Sequence, residues 1–355
     1  MNNLRILLIG CGGSAGFNFV ESLRMASDRY TIVGTDINIE HLELSNCDIK
    51  YLVPRNRDPD YPGVISSIIK KEKIDFVHFQ PDSEVAFWSR NRHLLDAPFM
   101  LPSKEAIELC HNKISFANAM AAAGVPVPRS IHVVDESSIA ENFNSLNKSS
   151  EKVWVRAIRG AGSRASLPVT KAEHALMWID YWNTVRGTDY SDFMMAEFLP
   201  GREFAFQSIW KDGILVTSMA RERKEYVFGS IMPSGQSSSP SVAVTVHSEP
   251  VNDISTRAIE AADNNPNGIY CVDLKEDALG NPCVMEINIG RFFTTNDFFS
   301  SAGNNMPDYF VKLAMNEKIP ILEKYNSVPE GINWLRIIDM GKKMVGEGEW
   351  NYRQI

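Results

Sequence analysis

The beginning of the chain restricts it to one kind of sheet. An apolar run at residues 4–9 leads into a glycine-rich turn at 10–16 and then into a helical stretch at 17–26. Further apolar runs follow at 30–35 and 74–79. Strands that alternate with helices form right-handed βαβ units, and such units build a parallel sheet. We therefore predict that the chain begins with an α/β unit.

Length and composition are those of an ordinary globular protein. The 355 residues should form two or three domains, and 44% hydrophobic and 23% charged residues are typical of soluble proteins. A net charge of −8, without a block rich in lysine or arginine, argues against a nucleic-acid partner. No apolar run approaches the roughly 20 residues of a membrane helix, and the N-terminus lacks a signal-peptide pattern. The five cysteines include no CxxC pair, so we predict a cytoplasmic protein with neither a disulfide framework nor a zinc site.

The glycine-rich turn has two interpretations. Gly10, Gly12 and Gly16 lie between a strand and a helix, and Asp36 ends the next strand 20 residues after Gly16. This spacing fits a dinucleotide-binding turn, in which the helix N-terminus faces an anion and the acid binds a ribose. The protein would then be a nicotinamide-dependent oxidoreductase or would bind a flavin. Glycines are also needed wherever a strand turns sharply into a helix that packs against it, so the pattern alone leaves both interpretations open.

Two predicted strands in the last third of the chain carry candidate metal ligands. Glu286 and Asn288 are two residues apart on one strand, so their side chains share a face of the sheet. Asp273, on the strand before the turn at 279–282, can lie across from them. Carboxylate and amide oxygens are the ligands that Mg²⁺ prefers when it is bound to phosphates. The alternative is a hairpin whose polar side chains face solvent.

The middle of the chain changes from helix to strand. A helix is predicted over 104–123 and ends before Gly124-Val-Pro126. Strands are predicted at 129–134, 152–157, 193–198, 203–210, 213–220, 241–247, 268–275 and 282–288, and helices at 136–146, 172–186, 254–263 and 306–316. Residues 223–240 are rich in Ser, Gly and Pro, and we interpret them as a mobile loop over a site.

A second candidate phosphate site lies in this region. An apolar strand ends in Arg156, and a small glycine-containing loop follows at 160–164. Backbone N–H groups of such a loop can bind phosphate oxygens, and the arginine can add a charge-assisted hydrogen bond. The alternative is the solvated tip of a hairpin.

Taken in order, these motifs resemble the ATP-grasp superfamily over residues 4 to 316. The similarity is closest to a single synthetase unit of the carbamoyl-phosphate synthase large subunit and to its short stand-alone relatives. The motifs are the glycine turn, Asn112-Lys113 before a helix that ends in Ala-Gly124-Val-Pro126, Arg156 with its glycine loop, the hinge Glu197-Phe-Leu199-Pro-Gly201-Arg-Glu203, and Asp273 with Glu286-x-Asn288.

The resemblance implies a fold and a division into domains. The expected fold is an α/β Rossmann-like domain, called the pre-ATP-grasp domain, followed by an α+β ATP-grasp fold of two subdomains. The predicted boundaries are 1–108 for the Rossmann-like domain, 109–190 for the lid subdomain and its preceding helix, 191–320 for the C-terminal subdomain with the metal site, and 321–355 for a tail. In this family the front domain helps to bind the acceptor substrate and holds no dinucleotide.

The resemblance also implies roles for individual residues. Lys113 and Arg156 would hold the phosphates of ATP, the loop at 160–164 would close over them, and Glu203 would bind the ribose. The implied nucleotide-binding set is Lys113, Arg156, Gly160, Gly162, Ser163, Glu197, Phe198, Leu199 and Glu203. The implied metal ligands are Asp273, Glu286 and Asn288, and the catalytic candidates are Arg156 and Arg291, the latter resembling the arginine that holds an acyl phosphate.

Many members of the family have lysine where Arg156 stands, and arginine there is closer to the carbamoyl-phosphate synthase type. Two further departures concern the residues around the implied metal site. The family commonly has Pro-Arg after the asparagine, whereas Ile289 and Gly290 separate Asn288 from Arg291 here. Asp273 stands where the closest relatives carry glutamine. Both departures affect the roles carried over to Asp273 and Arg291.

The implied activity is that of an ATP- and Mg²⁺- (or Mn²⁺-) dependent ligase. It would activate a small-molecule carboxylate as an acyl phosphate for attack by an amine or another nucleophile. Because the sequence resembles one synthetase unit and shows no glutaminase-like half, we do not predict carbamoyl phosphate as the product. A non-catalytic ATP-binding sensor is the alternative on the same scaffold, and the relatives suggest a possible homodimer.

Candidates for acceptor binding follow the strand at 74–79 and precede the loop at 223–240. They are Asp82, Ser83, Glu84, Arg221 and Arg223. Arginines near a metal would suit a carboxylate substrate. The alternatives are that Asp82 and Ser83 cap a helix and that the two arginines are surface charges.

Overall fold

The computed structural model describes residues 3–27, 30–148, 150–160, 165–237, 239–337 and 341–346. The front of the chain forms a parallel sheet covered by helices. Its elements are β1 (Leu4–Ile9), α1 (Ser14–Arg24), β2 (Tyr30–Asp36), α2 (Ile39–Leu44), β3 (Ile49–Leu52), α3 (Tyr61–Glu72), β4 (Phe76–Phe79) and α4 (Asp82–Arg90). The strand order is β3-β2-β1-β4, and all three pairings are parallel. The α/β prediction for this part of the chain is confirmed.

A smaller antiparallel sheet follows, with helices before it and against it. Its elements are α5 (Lys104–Cys110), α6 (Lys113–Ala122), β5 (Ser130–His132), α7 (Ser138–Leu146), β6 (Val153–Ala157), β7 (Leu167–Val169), α8 (Ala172–Arg186) and β8 (Phe193–Glu197). The strand order is β5-β8-β6-β7. The helices α7 and α8 pack their apolar side chains against this sheet.

The largest sheet is antiparallel and carries most of the candidate site. Its elements are β9 (Glu203–Lys211), β10 (Ile214–Tyr226), β11 (Pro240–Val246), α9 (Glu249–Ala262), β12 (Gly268–Glu276), β13 (Pro282–Ile289), α10 (Asp297–Ser301), α11 (Met306–Ala314), β14 (Asn333–Ile337) and β15 (Gly341–Val345). The order is β13-β12-β9-β10-β11-β14-β15. None of the helices in the described ranges is both long and apolar enough to cross a membrane.

Three differences from the predicted elements bear on the site. The helix predicted over 104–123 is two helices, because the Asn112 side chain accepts hydrogen bonds from the backbone N–H groups of Ile114 and Ser115 and so starts a new one. The strand predicted to end at 220 continues to Tyr226, so the sequence after 223 is not all loop. The tail after 320 adds β14 and β15 to the large sheet.

The boundary predicted at 190 separates β8 from the sheet in which it is hydrogen-bonded, since β8 pairs with β5 and β6. The division into domains at 108, 190 and 320 otherwise stays a prediction.

A buried aromatic cluster joins the front unit to the large sheet. Phe19 of α1 stacks on His78 of β4 with 4.3 Å between ring centroids, and both rings lie against Phe292, just after β13. The side-chain amide of Asn18 also donates to the Thr294 carbonyl oxygen at 2.6 Å. Aromatic side chains bury large apolar areas, so this contact fixes the segment after β13 against the front unit.

Candidate functional site

A cavity of about 380 Å³ lies between the small antiparallel sheet and the large one. Trp154 and Phe198 lie together at an apolar end, with 6.3 Å between their ring centroids, and Leu274 and Met285 add to the apolar wall. Most of the other lining residues are polar or charged. The lining is Lys113, Trp154, Arg156, Ala157, Gly160, Ser166, Glu197, Phe198, Leu199, Glu203, Arg223, Tyr226, Gln236, Ser237, Asp273, Leu274, Lys275, Met285, Glu286, Asn288, Arg291, Phe293 and Thr294.

Most of the residues predicted from sequence meet in this cavity. Those in its wall are Lys113, Arg156, Gly160, Glu197, Phe198, Leu199, Glu203, Arg223, Asp273, Glu286, Asn288 and Arg291. The candidates Asp82, Ser83, Glu84 and Arg221 are not among the lining residues. Gly162 and Ser163 lie outside the described residues.

The register of β12 and β13 brings the candidate metal ligands together. Asp273 lies directly opposite Glu286, as predicted, and a bulge follows between Asp273 and Leu274. Asn288 donates from its side-chain amide to Asp273 Oδ2 at 3.0 Å. The side chains of Asp273 and Glu286 are 17% and 24% exposed and face the cavity. The alternative interpretation, a hairpin whose polar side chains face solvent, is therefore wrong.

Glu286 is held between two cations from the opposite side of the cavity. Its Oε2 accepts from Arg156 of β6 at 2.6 Å and lies 3.5 Å from the Lys113 ammonium at the start of α6. Lys113 also donates to the Gly160 carbonyl oxygen at 2.7 Å. Burial alone would raise the pKa of Glu286, but Lys113 and Arg156 outweigh it and lower the pKa to about 2.

This shift predicts a pH dependence of stability. Because the folded pKa of Glu286 is depressed, its contribution is fully present above the ordinary value of 4.5 and is lost as the pH falls towards 2. The difference in unfolding free energy between the wild type and Glu286→Gln should therefore be constant above pH 4.5 and narrow below it. Denaturant titrations at several pH values measure the difference, and a constant gap down to the acid limit of folding would contradict the prediction.

Asp273 is held by Arg223 of β10, which lies opposite Glu203 of β9 in the large sheet. Its Oδ1 accepts from Arg223 Nη2 at 2.5 Å. Burial raises the pKa of Asp273, and Arg223 opposes that shift. Arg223 also lies over the Phe293 ring, with 5.3 Å between the guanidinium carbon and the ring centroid.

Arg291 connects the metal strand to the front unit. Its Nη2 donates to Asn288 Oδ1 at 2.6 Å and to Asp82 Oδ2 at 3.1 Å, and its Nε also bonds the Asp82 carboxylate. Gly290 makes this possible, because its φ of +76° turns the backbone directly after β13. The two residues between Asn288 and Arg291 therefore still leave the guanidinium beside Asn288.

Gly290 offers a test of this turn. A Cβ at position 290 would lie 2.8 Å from Val85 Cγ1 in a buried contact, in addition to the positive φ. We expect Gly290→Ala to cost about 2–4 kcal/mol of unfolding free energy, from backbone strain and overpacking. Gly280 is the matched control, since its φ is +84° but an added Cβ would meet nothing within 4 Å. Gly280→Ala should cost only about 1–2 kcal/mol, and equal losses in denaturant unfolding would contradict the argument.

The donor set suits a hard cation that is bound partly by the protein and partly by phosphates. Within the described ranges, no three His, Cys, Asp or Glu side chains are grouped so as to hold a metal ion. The cavity instead offers the carboxylates of Asp273 and Glu286 and the amide oxygen of Asn288. Mg²⁺ is commonly bound by one or two carboxylates and completed by substrate phosphates and water, so these residues fit such a metal better than an all-protein metal site.

Two buried guanidinium groups in the cavity wall have N–H groups without an acceptor. Arg156 Nε and Arg223 Nε make no hydrogen bond within the described part of the chain. Buried donors of this kind are normally satisfied. They fit a site that receives an anion.

The candidate hinge lies at the apolar end of the cavity. Glu197 accepts from the Arg129 backbone N–H at 3.0 Å through its side chain, which fixes the end of β8. Two lysine ammonium groups lie over the Phe198 ring, that of Lys152 at 5.3 Å and that of Lys275 at 5.5 Å from the ring centroid. An apolar end next to a strongly basic centre matches the chemistry of a nucleoside bearing phosphates.

The remaining acceptor candidates have other positions. The side-chain carboxylate of Asp82 bonds Arg291, and the N-cap of α4 is Pro81 without a side-chain bond, so helix capping by Asp82 and Ser83 is wrong. Glu84 is buried and accepts from the Tyr61 hydroxyl. Arg221 is buried against Phe293, Phe298 and Phe299. Neither Arg221 nor Arg223 is a surface charge.

The glycine turn of the front unit is tightly packed. Gly12 donates its N–H to Asp36 Oδ2 at 3.0 Å, so the acid at the end of β2 holds the turn itself. A Cβ on Gly16 would lie 2.5 Å from the Gly10 carbonyl oxygen. These contacts favour the interpretation in which the glycines allow close packing of strand, turn and helix.

Several lining residues were not predicted from the sequence. Tyr226, Gln236 and Lys275 all donate hydrogen bonds to the Glu203 carboxylate. Lys275 could have been found, because it lies two residues after Asp273 on the same face of β12. Tyr226 and Gln236 lie in the segment 223–240 that was predicted to cover a site, but neither was predicted as an individual site residue.

Comparisons with known proteins agree on the fold. No protein-family model matches the chain, and no curated protein sequence matches it significantly. Solved structures do match. An L-amino acid ligase from Bacillus licheniformis has a TM-score of 0.68 at 14% identity over 94% of this chain and 79% of its own.

Two further matches are nucleotide complexes. Carboxyaminoimidazole ribonucleotide synthase from Aspergillus clavatus, complexed with ATP, has a TM-score of 0.69 at 13% identity over 94% of this chain and 81% of its own. The biotin carboxylase domain of 2-oxoglutarate carboxylase from Hydrogenobacter thermophilus is a dimer with MgADP and bicarbonate. It has a TM-score of 0.66 at 14% identity, over 94% of this chain and 74% of its own. At identities of 13–14% these matches show similarity of fold alone, and the fold that the chain shares with them is the ATP-grasp fold.

Proposed function

We propose that the protein is an ATP- and Mg²⁺-dependent ligase that activates a carboxylate as an acyl phosphate for attack by an amine or another nucleophile. The observation that carries the proposal is the meeting of Lys113, Arg156 and Arg291 with the Asp273, Glu286 and Asn288 oxygens in one cavity with an apolar end. Solved structures of similar fold include an amino-acid ligase and nucleotide complexes.

Groups of lining residues would bind different parts of the nucleotide. Trp154, Phe198 and Leu199 offer an apolar slot for a base at one end, and Glu203 offers a carboxylate for ribose hydroxyls beside it. Lys113 and Arg156 lie where phosphates that extend towards Glu286 would run. Fixed cations of this kind stabilise charge on a transferring phosphoryl group without reorganising.

The acceptor carboxylate would lie at the other end of the cavity. Arg291 lines the cavity, and Asp82 fixes it from the front unit. Arg223 also lines the cavity and pairs with Asp273, and its register position opposite Glu203 places it between the ribose carboxylate and the metal ligands. Asp273, Glu286 and Asn288 would hold Mg²⁺, which supplies charge neutralisation between phosphate oxygens. No side chain in this arrangement needs to act as a covalent nucleophile.

The test is acceptor-dependent release of ADP and phosphate across a panel of carboxylates and amines with MgATP. We expect turnover that requires both a carboxylate and Mg²⁺. MgATP binding without turnover for any acceptor would favour the sensor, whereas binding of a reduced nicotinamide would favour the oxidoreductase. The particular resemblance to carbamoyl-phosphate synthase, the use of Mn²⁺ and a homodimer remain predictions.

A further inference from the structure

The carboxylate of Glu203 is already surrounded by donors. Oε1 accepts from the Lys275 ammonium and from the Gln236 side-chain amide, and Oε2 accepts from the Tyr226 hydroxyl. Lys275 and Tyr226 belong to strands on either side of β9, so the sheet holds them in place. Gln236 belongs to the segment 227–237, which follows β10.

This arrangement leaves too few acceptor sites for a ribose. A carboxylate has about four lone-pair sites, and three donors occupy all but roughly one of them. The two ribose hydroxyls would need two. One of the three present donors must therefore leave before Glu203 can bind both hydroxyls.

Gln236 is the donor that can leave at the lowest cost. Its amide is neutral, whereas Lys275 forms an ion pair with Glu203. None of residues 227–237 is buried, and Phe228, Ile231 and Met232 are exposed. Segments with few buried apolar contacts open at low free energy.

The segment nevertheless reaches into the cavity. Gln236 and Ser237 are lining residues, and Ser239, just beyond the segment, shares a hydrogen bond of 2.9 Å with the Thr294 hydroxyl in the same wall. The Val227 N–H donates to the Ser239 carbonyl oxygen at 3.1 Å, which closes the base of the loop. The contact of Gln236 with Glu203 therefore joins the segment to the opposite wall of the cavity.

We propose that Gln236 occupies the ribose position on Glu203, so that the 227–237 segment closes the nucleotide site in the absence of nucleotide and is displaced when nucleotide binds. The proposal rests on the nucleotide site of the proposed function. It makes Gln236 a residue that competes with the nucleotide, and it assigns the loop a role in controlling nucleotide affinity.

The experiment compares MgADP binding by calorimetry in the wild type and in Gln236→Ala. Removal of a competing hydrogen bond to a charged group should tighten binding roughly tenfold. Amide hydrogen exchange in 227–237 should also become faster when the wild type binds MgADP. Met232→Ala, an exposed change in the same segment, is the matched control and should leave the affinity unchanged.

The outcomes distinguish failure of the proposed competition by Gln236 from failure of the nucleotide site itself. Weaker or unchanged MgADP binding in Gln236→Ala, with a wild type that binds, overturns the competition and leaves the nucleotide site standing. A wild type that does not bind MgADP overturns the nucleotide site itself. Slower exchange of 227–237 on binding would show that the loop closes over the nucleotide, which also contradicts displacement.

Discussion

Glu286→Gln is expected to lower turnover by about a hundredfold or more while nucleotide binding without a metal is kept. The substitution removes a negative charge from the candidate metal site, where charge stabilisation of the transferring group is a large part of catalysis. It also releases Lys113 and Arg156 from their shared partner. Binding of metal-free ADP should therefore be unchanged or tighter, whereas the gain in affinity from added Mg²⁺ should shrink.

Glu276→Gln is the matched control for this prediction. Glu276 is a buried glutamate at the end of the neighbouring strand and forms an ion pair of 2.6 Å with Arg202, but it does not line the cavity. Its replacement should affect stability without a comparable loss of turnover. If Glu286→Gln keeps more than about a tenth of the wild-type rate in steady-state assays, the metal assignment fails.

The candidate metal site could be predicted from sequence because its geometry is local. Side chains two residues apart on a strand share a face, so the spacing of Glu286 and Asn288 is enough to predict that they are neighbours. A hairpin of two consecutive strands then brings Asp273 opposite Glu286. The parallel front sheet was predictable for a similar reason, since alternating apolar runs and helices specify it.

The contacts around Glu203 could not be predicted in the same way. They depend on β9 lying between β10 and β12, and β12 is distant from β9 in the sequence. The extension of β10 to Tyr226 was not predicted because charged residues, Arg221 to Glu225, continue the strand, and Arg221 and Glu222 are buried although Lys224 and Glu225 are exposed. Composition predicts loops from such polar sequence, but in this strand Arg221 and Arg223 are held by aromatic rings and Asp273.

The break between α5 and α6 shows a related limit. The sequence pattern predicts one helix over 104–123, whereas the motif Asn112-Lys113 before a helix indicates a start at this point, and the side-chain cap of Asn112 does start a second helix there. The Lys113 N–H then donates to the Ile158 carbonyl oxygen at 3.0 Å, which fixes the start of α6 next to the loop after β6. This tertiary contact brings the Lys113 ammonium close to Glu286.

Arg291→Ala is expected to lower turnover by about a hundredfold and to leave nucleotide affinity within about threefold of the wild type. The guanidinium contacts Asn288 and Asp82, and among the described residues no hydrogen bond or ring contact joins it to Trp154 or Phe198. Its loss should therefore affect the acceptor and the transferring group and leave the base and ribose contacts intact. Arg291→Lys should recover only part of the rate, because an ammonium cannot make the paired contacts of a guanidinium.

Two controls separate this role from a structural one. Arg202→Ala removes an arginine that pairs with a glutamate outside the cavity, and it should leave turnover near the wild-type rate. Asp82→Asn keeps Arg291 but weakens its tie to the front unit, so it should raise the KM for the carboxylate more than it lowers kcat. Thermal unfolding of each variant identifies loss of fold. If nucleotide affinity falls in parallel with turnover in Arg291→Ala, the arginine belongs to the nucleotide site, because an acceptor-side residue would leave that affinity unchanged.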